Sequence, residues 1–291
     1  MKASHQVAVL GGGVMGEALV SGFLASGKIS HKQIVVTDPR TERLTALSSQ
    51  YGVGVSPSNA AAATGADVVV VAVKPPVVPP VLDEIAPRLR AGSVVMSIAA
   101  GVTLAELEAR LPGGVAVVRA MPNSPCRVKA GVVALAAGRG MDAERRAVVT
   151  ELVECVGRGI WLDEQLMDAV TGLSGSAPAY VYVFIEALAD GGVMAGLPRQ
   201  VALDLAVQTV RGAAQMVAET GRPPAELKDQ VATPAGTTIA GLAVLEEAAF
   251  RGAVLRAVEA GARRSAELAG QRDGQVSPVS HPSQKKKGAP A

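Results

Sequence analysis

The residues of this 291-residue chain best suited to chemistry fall into three groups. The first is Gly11-Gly12-Gly13-Val14-Met15-Gly16, which holds the spacing G-x-G-x-x-G directly after the apolar run Val7–Leu10. Gly11 suits a tight turn, Gly13 a close approach of backbone to a pyrophosphate, and Gly16 the packing of a helix on a strand. Free N–H groups at the start of that helix then bind phosphate. The chemistry is dinucleotide binding; a bare glycine turn is the alternative, and the position after a first strand favours the ligand. The second group lies at the ends of later strands. Asp38 falls about 20 residues past Gly16, where a carboxylate reads a ribose 2′-OH and a nearby arginine, here Arg40, accommodates a 2′-phosphate. Asp38-Pro39 reads equally as a turn. Ala72-Val73-Lys74-Pro75 and Ala99-Ala100-Gly101 are small enough to let a nicotinamide ring rest on the backbone, and each also reads as a simple turn. The third group is a pair of hydroxyl-rich helix starts, at Ser174 to Pro178 and at Thr233 to Thr238. Consecutive N–H groups there would bind a small carboxylate. Capping by Ser176 and by Thr237-Thr238 is the competing reading, and both stand.

Other chemistries are missing their residues. The three histidines, His5, His31 and His281, lie near the ends, so neither a Ser-His-Asp triad nor a zinc site is expected. Cys126 and Cys155 make no CxxC pair and no metal-ligand spacing, which suits a reducing compartment. No metal is expected.

These groups need a scaffold, and the pattern supplies one. Strands are expected at Val7–Leu10, Ile34–Thr37, 67–73, 93–98, 115–120 and 132–136, with helices at 14–26, Thr41–Tyr51, 81–89 and 103–111 between them. The alternation predicts an α/β doubly wound, parallel sheet. From about residue 163 only helices are expected, near 164–171, 177–195, 198–219, 223–231, 237–247 and 251–268. The helix from Ala177 carries Tyr180, Val181, Val183, Phe184, Ile185 and Leu188, so it is apolar on most sides and must be buried, with a subunit interface as the place. The expected domains are residues 1–162 for the dinucleotide, 163–270 for dimerisation and substrate, and a disordered basic tail at 271–291.

Composition narrows the partners. With 49% hydrophobic and 19% charged residues the chain is not disordered as a whole. Four of its 28 basic residues but only one of its 26 acidic residues follow Gly270, so the rest is close to neutral, which argues against nucleic acid. Aromatics at 2% give no stacking platform for single strands. The longest uncharged run, 169–185, is broken by Gly172, Gly175 and Pro178 and does not read as a membrane span. The N-terminus lacks the long apolar stretch of a secretory signal. A soluble, cytoplasmic protein is expected.

The segments GGGVMGEAL, AVKP, SIAAGVT, RAMPNSP, DAVTGLSGSAPAY, LADGGVMAGLP and TPAGTTIAGL occur in the order found in pyrroline-5-carboxylate reductases. From about Gln6 to Leu268 the chain resembles that family, in look closest to the animal-type, shorter cytosolic form. The helical segments are the more diagnostic, since many dehydrogenases share the glycine fingerprint. The resemblance implies an oxidoreductase acting on a CH–NH bond, which reduces (S)-1-pyrroline-5-carboxylate to L-proline with NADPH or NADH in the last step of proline biosynthesis. It implies a Rossmann domain followed by an all-α dimerisation domain, in homodimers that often assemble into decamers. By the same resemblance Gly11 to Gly16 hold the pyrophosphate, and Asp38 and Arg40 lie near the adenosine ribose. Asn59, Ala72, Val73, Lys74, Pro75, Ala99 and Ala100 line the cofactor. Ser176, Gly236, Thr237 and Thr238 border the substrate, with Ser176 and Thr238 closest to the chemistry and Glu164 at the rim. The family usually has glycine where this chain has Ala177 and Ala235; a positive φ at either position would strain the alanine. Two other readings compete: a β-hydroxyacid dehydrogenase, which needs a lysine that is missing near residues 172–182, and a dinucleotide-binding scaffold without activity.

Overall fold

The computed structural model describes residues 5–273. Among the described residues there are eight strands, most of them short runs rich in β-branched residues between glycine or proline breaks. They are β1 (Val7–Leu10), β2 (Ile34–Thr37), β3 (Gly54–Ser56), β4 (Val68–Val71), β5 (Val94–Ser97), β6 (Ala116–Pro122), β7 (Gly131–Ala137) and β8 (Gly157–Trp161). They make one sheet in the order β3-β2-β1-β4-β5-β6-β7-β8. Val7 lies opposite both Ile34 and Val68, so β1 is the central strand of the nucleotide-binding half. The chain leaves β1 toward β2 and returns to β4 on its other side. That reversal opens a crevice at the carboxyl ends of β1 and β4, where ligands bind in such sheets.

Alternation along β1 sends Val7 and Val9 to one face and Ala8 and Leu10 to the other. On the first face they pack with Leu19, Val20 and Phe23 of α1 (Val14–Ala25). Helices α2 (Thr41–Tyr51) and α3 (Asn59–Ala63) follow β2 and β3. On the second face lie Val78, Leu82 and Ile85 of α4 (Val78–Ile85) and Leu104 and Leu107 of α5 (Leu104–Glu108). Both faces are covered, as parallel strands require. Thr103 and Glu106 form a capping box at the start of α5, each side chain accepting from the other's backbone N–H.

Four elements go beyond the expected ones: β3, α3, β8 and α6 (Ala143–Val153), the last started by the Asp142 side chain accepting from Arg145 N. The sheet also departs from all-parallel pairing, because β6 and β7 run antiparallel. Only the short turn Ser124–Val128 separates them, too little chain for a parallel crossover.

The helical half starts with α7 (Met167–Val170), which runs through a π-helical turn, Thr171–Gly175, into α8 (Ala177–Met194). Then come α9 (Arg199–Thr220), α10 (Pro224–Val231), α11 (Thr237–Glu247) and α12 (Phe250–Asp273). The apolar helix expected to be buried is not buried within one chain. Tyr182 and Val183 of α8 are 59% and 66% exposed, and only Ala189 is buried. Helix α12 extends to Asp273, so the tail expected from Gln271 begins inside it; residues 274–291 lie outside the described ones. Among the described residues no helix is long and apolar enough to cross a membrane.

Candidate active site

The glycine fingerprint turns sharply out of β1. Gly11 has φ +108, and a β-carbon there would come within 2.7 Å of the Ala72 carbonyl oxygen. Its N–H donates to the Thr37 carbonyl at 3.0 Å, while Ala72 N donates to the Leu10 carbonyl at 2.8 Å, so the turn is fixed between the ends of β2 and β4. A β-carbon on Gly16 would overlap the Gly11 carbonyl oxygen, and one on Gly12 would crowd Leu47. Gly13 differs. It caps α1 with extended backbone and no side-chain hydrogen bond, and nothing lies within 4 Å of where its β-carbon would be. The protein's own packing therefore does not require glycine there. An open approach to an uncapped helix N-terminus fits the pyrophosphate of a dinucleotide. Val14 is exposed there, and Met15 is half-buried against the core.

Asp38 is buried at the end of β2. Arg40 grips it: Nε donates to Oδ1 at 2.8 Å, Nη2 to Oδ2 at 3.0 Å, and the Arg40 backbone N–H to Oδ1 at 3.0 Å. The Arg40 guanidinium holds the Asp38 carboxyl below the usual carboxylate range, against burial, which pushes the other way. The arginine side chain itself is 66% exposed. A second guanidinium was not legible in the sequence. Arg43, in the first turn of α2, donates through Nε to the Gly12 carbonyl at 2.6 Å and pairs with Glu17 of α1. Arg40, Thr41 and Arg43 border an open depression of about 620 Å³ beside the fingerprint. Asn59 is set in place by the Thr37 hydroxyl, which donates to its Oδ1 at 2.6 Å, and by Glu84, which accepts from its Nδ2 at 2.8 Å.

Beyond β4, Ala72, Val73 and Pro75 are half-buried and Lys74 is exposed; beyond β5, Ala99 is buried and Ala100 exposed. Pro75 and Ala100 form one wall of a cleft of about 390 Å³ whose other wall is helical, with Thr171, Ser176, Arg264 and Ser265. Ser176 does not cap α8. The chain is already helical there, and both its N–H, at 2.9 Å, and its hydroxyl, at 3.1 Å, donate to the Thr171 carbonyl. The Ser265 hydroxyl donates to Asp168 at 2.7 Å, which ties α12 to α7. Glu164 is a clasp between the two halves: Oε1 accepts from Leu104 N at 2.7 Å and from the buried Arg119 at 2.9 Å.

Gly236, Thr237 and Thr238 are not among the residues lining this cleft. Gly236 is the N-cap of α11, so neither threonine is the cap; Thr237 is exposed and Thr238 half-buried. Among the described residues the Thr238 hydroxyl makes no hydrogen bond. Within one chain Ser176 therefore lines the cleft and the Thr238 turn does not. The two alanines also differ. Ala177 is helical, while Ala235 has φ +54. Ala235→Gly should therefore stabilise the fold by about 0.5–1 kcal/mol, since a left-handed alanine costs about 1–2 kcal/mol and glycine returns part of that as unfolded-chain entropy. A thermal melt should rise by about 2 °C; an unchanged or lower midpoint would mean that the turn carries no strain.

His5 and His31 precede β1 and β2, at the amino ends of the strands, whereas the cleft lies past their carboxyl ends. Among the described residues no group of three or more His, Cys, Asp or Glu side chains could hold a metal ion.

An uncapped glycine fingerprint at the switch point of a mostly parallel sheet, facing a helical half across a small cleft, defines a dinucleotide-dependent oxidoreductase fold. Residues 6–101 match the family described as NADP oxidoreductase, coenzyme F420-dependent, and residues 164–268 match the family described as pyrroline-5-carboxylate reductase dimerisation. A pyrroline-5-carboxylate reductase of Synechocystis is 46% identical over 268 residues, covering 91% of this chain and 98% of the relative. The solved pyrroline-5-carboxylate reductase of Coxiella burnetii is 34% identical with a TM-score of 0.87, covering 91% of this chain and 99% of that one. The Plasmodium falciparum pyrroline carboxylate reductase solved with NADP bound is 31% identical with a TM-score of 0.82, covering 92% and 99%. The chain belongs to the pyrroline-5-carboxylate reductase family.

Proposed function

We propose that this chain reduces (S)-1-pyrroline-5-carboxylate to L-proline with NADPH or NADH, the last step of proline biosynthesis, in the cytoplasm. The observation that carries the reading is the open, uncapped approach at Gly13 past the carboxyl end of β1, the same end of the sheet at which the loops after β4 and β5 wall a cleft with Thr171, Ser176 and Ser265. Residues 1–162 hold the nucleotide, and 163–270 dimerise and complete the substrate site. The N–H groups from Gly11 to Gly16 hold the pyrophosphate. Asp38, Arg40 and Asn59 border the adenosine ribose, and Val73, Lys74, Pro75, Ala99 and Ala100 border the nicotinamide end. When bound, the reduced nicotinamide supplies a hydride. The chain's own residues position the ring so that its imine carbon accepts that hydride while its nitrogen carries a proton. With His5 and His31 at the amino ends of β1 and β2, the imine arrives protonated or takes its proton from water. The Thr238 hydroxyl orients the ring nitrogen, and the N–H groups at Gly236 to Thr238 hold the carboxylate. Acceleration comes mainly from placement.

The Thr238 turn reaches the cleft from a second copy of the chain. This is supported by the separation of the turn from the cleft within one chain and by the exposed apolar residues of α8, α9 and α11, among them Val183, Leu205 and Val244. Dimers then associate into decamers. Light scattering should give a mass of two chains or a multiple of it. Incubation with pyrroline-5-carboxylate and NADPH should consume the reduced nicotinamide and yield proline; nucleotide binding without turnover would leave only a scaffold.

Arg40 should set the nucleotide preference. It occupies both oxygens of Asp38, which leaves its own outer face for a 2′-phosphate. Arg40→Ala should weaken NADPH by about fivefold, as for an exposed charge contact, and NADH by less. Calorimetric titration with both nucleotides checks this; equal weakening would show that Arg40 does not read the phosphate.

A further inference from the structure

We infer that Asn123 is a positioning residue, which clamps the π-helical turn so that Ser176 faces the cleft; the inference rests on the reductase reading above. In an uninterrupted helix the Ser174 carbonyl would accept from the N–H of residue 178, but that residue is proline and has none. This carbonyl takes a hydrogen bond from the other half of the molecule: Asn123 Nδ2 donates to it at 3.1 Å. Asn123 stands just past β6, and its Oδ1 accepts from Val132 N at 3.0 Å. The amide is thereby oriented, oxygen toward β7 and nitrogen toward the π turn. Met121 of β6 adds a steric contact, since a β-carbon on Gly175 would come within 2.9 Å of its Cε.

Ser176 depends on this turn, because its N–H and hydroxyl both bond the Thr171 carbonyl five residues back. A π turn is an irregular insertion in a helix and persists where something holds it. Relaxation to ordinary helical spacing would shift the register by one residue and rotate Ser176 by about 100°. Asn123 therefore supplies the donor that Pro178 lacks, and with it the orientation of the hydroxyl on the cleft wall.

The test uses Asn123→Asp beside Asn123→Ala in the full-length protein. Aspartate keeps an oxygen for Val132 N–H but, ionised, has no donor for the Ser174 carbonyl. Both variants should lower kcat at least tenfold, leave the NADPH dissociation constant within twofold, and speed amide hydrogen exchange at Ser176 at least tenfold. Adding Pro178→Ala, which returns an N–H to residue 178, should recover at least half of the lost turnover and protection in either background. Wild-type turnover and exchange in Asn123→Asp would overturn the inference, as would failure of Pro178→Ala to recover exchange protection. If Asn123→Ala does not fold, the Asn123→Asp pair carries the same comparison. Should the wild-type protein bind NADPH yet not reduce pyrroline-5-carboxylate, the reductase reading fails, while the exchange measurements still decide on the clamp.

Discussion

Replacing Gly13 with alanine should weaken NADPH binding at least tenfold and leave the fold intact. The four glycines of the fingerprint hold their places for different reasons. Gly11 needs its φ of +108, and Gly16 has no room for a β-carbon against the Gly11 carbonyl. Gly12 is crowded by Leu47. Gly13 has φ −69, which alanine adopts freely, and open space where its methyl would go. Alanine is a somewhat poorer N-cap than glycine, a cost of about 0.5 kcal/mol. The methyl would stand before the uncapped N–H groups of α1, where a pyrophosphate must approach closely. Moving the anion outward lengthens several charge-assisted hydrogen bonds at once, and loss of about 1.4 kcal/mol already gives the factor of ten. Calorimetric titration and a thermal melt on the same sample separate the two effects. A folded variant with unchanged affinity would remove Gly13 from the nucleotide site.

The parts of the fold legible in the sequence are those in which local pattern and tertiary role agree. β4 is four valines buried on both faces, and α2 is bounded by Arg40 before it and a left-handed Gly52 after it, so both read directly. β8, with Gly157, Arg158 and Gly159, has no strand pattern of its own; it exists because β7 offers it a parallel edge. β3 has three residues and the same dependence on β2. In the site the contrast is similar. The glycine fingerprint is a local signal. Arg43 is not, because its bond to Gly12 joins residues far apart in sequence through the packing of α2 on the turn. Ser176 beside Pro178 reads as a cap, but a cap requires a helix that begins there, and the π turn makes the chain helical from Met167 onward. The apolar character of α8 is legible, and its exposure within one chain fits the dimerisation family that residues 164–268 match.

Thr238→Ala should lower kcat/KM for pyrroline-5-carboxylate by a factor of about 10 to 100 with little change in stability or NADPH binding. The factor corresponds to roughly 1.4–2.7 kcal/mol, the range of one directed hydrogen bond made in the transition state. A helix cap would predict the opposite outcome, a melting loss with unchanged turnover. The structure argues against that outcome, because Gly236 occupies the cap position and, among the described residues, the Thr238 hydroxyl has no hydrogen bond to lose. A half-exposed hydroxyl without partners contributes little to folding, so the melt should stay within about 0.5 kcal/mol of wild type. Thr238→Ser keeps the hydroxyl and should recover most of the activity. If Thr238 serves the cleft of its partner, variants should complement one another. Chains carrying Gly13→Ala and chains carrying Thr238→Ala are each poorly active alone, but a mixed dimer would combine the intact fingerprint of one with the intact threonine of the other in one of its two sites. Co-expression should therefore restore activity well above the sum of the two homodimers. Within a single chain no mixture could do so, since each site would keep one defect. Absence of complementation in dimers shown to be mixed would place the threonine in its own chain's cleft. Full turnover by Thr238→Ala would move the orienting role to Ser176.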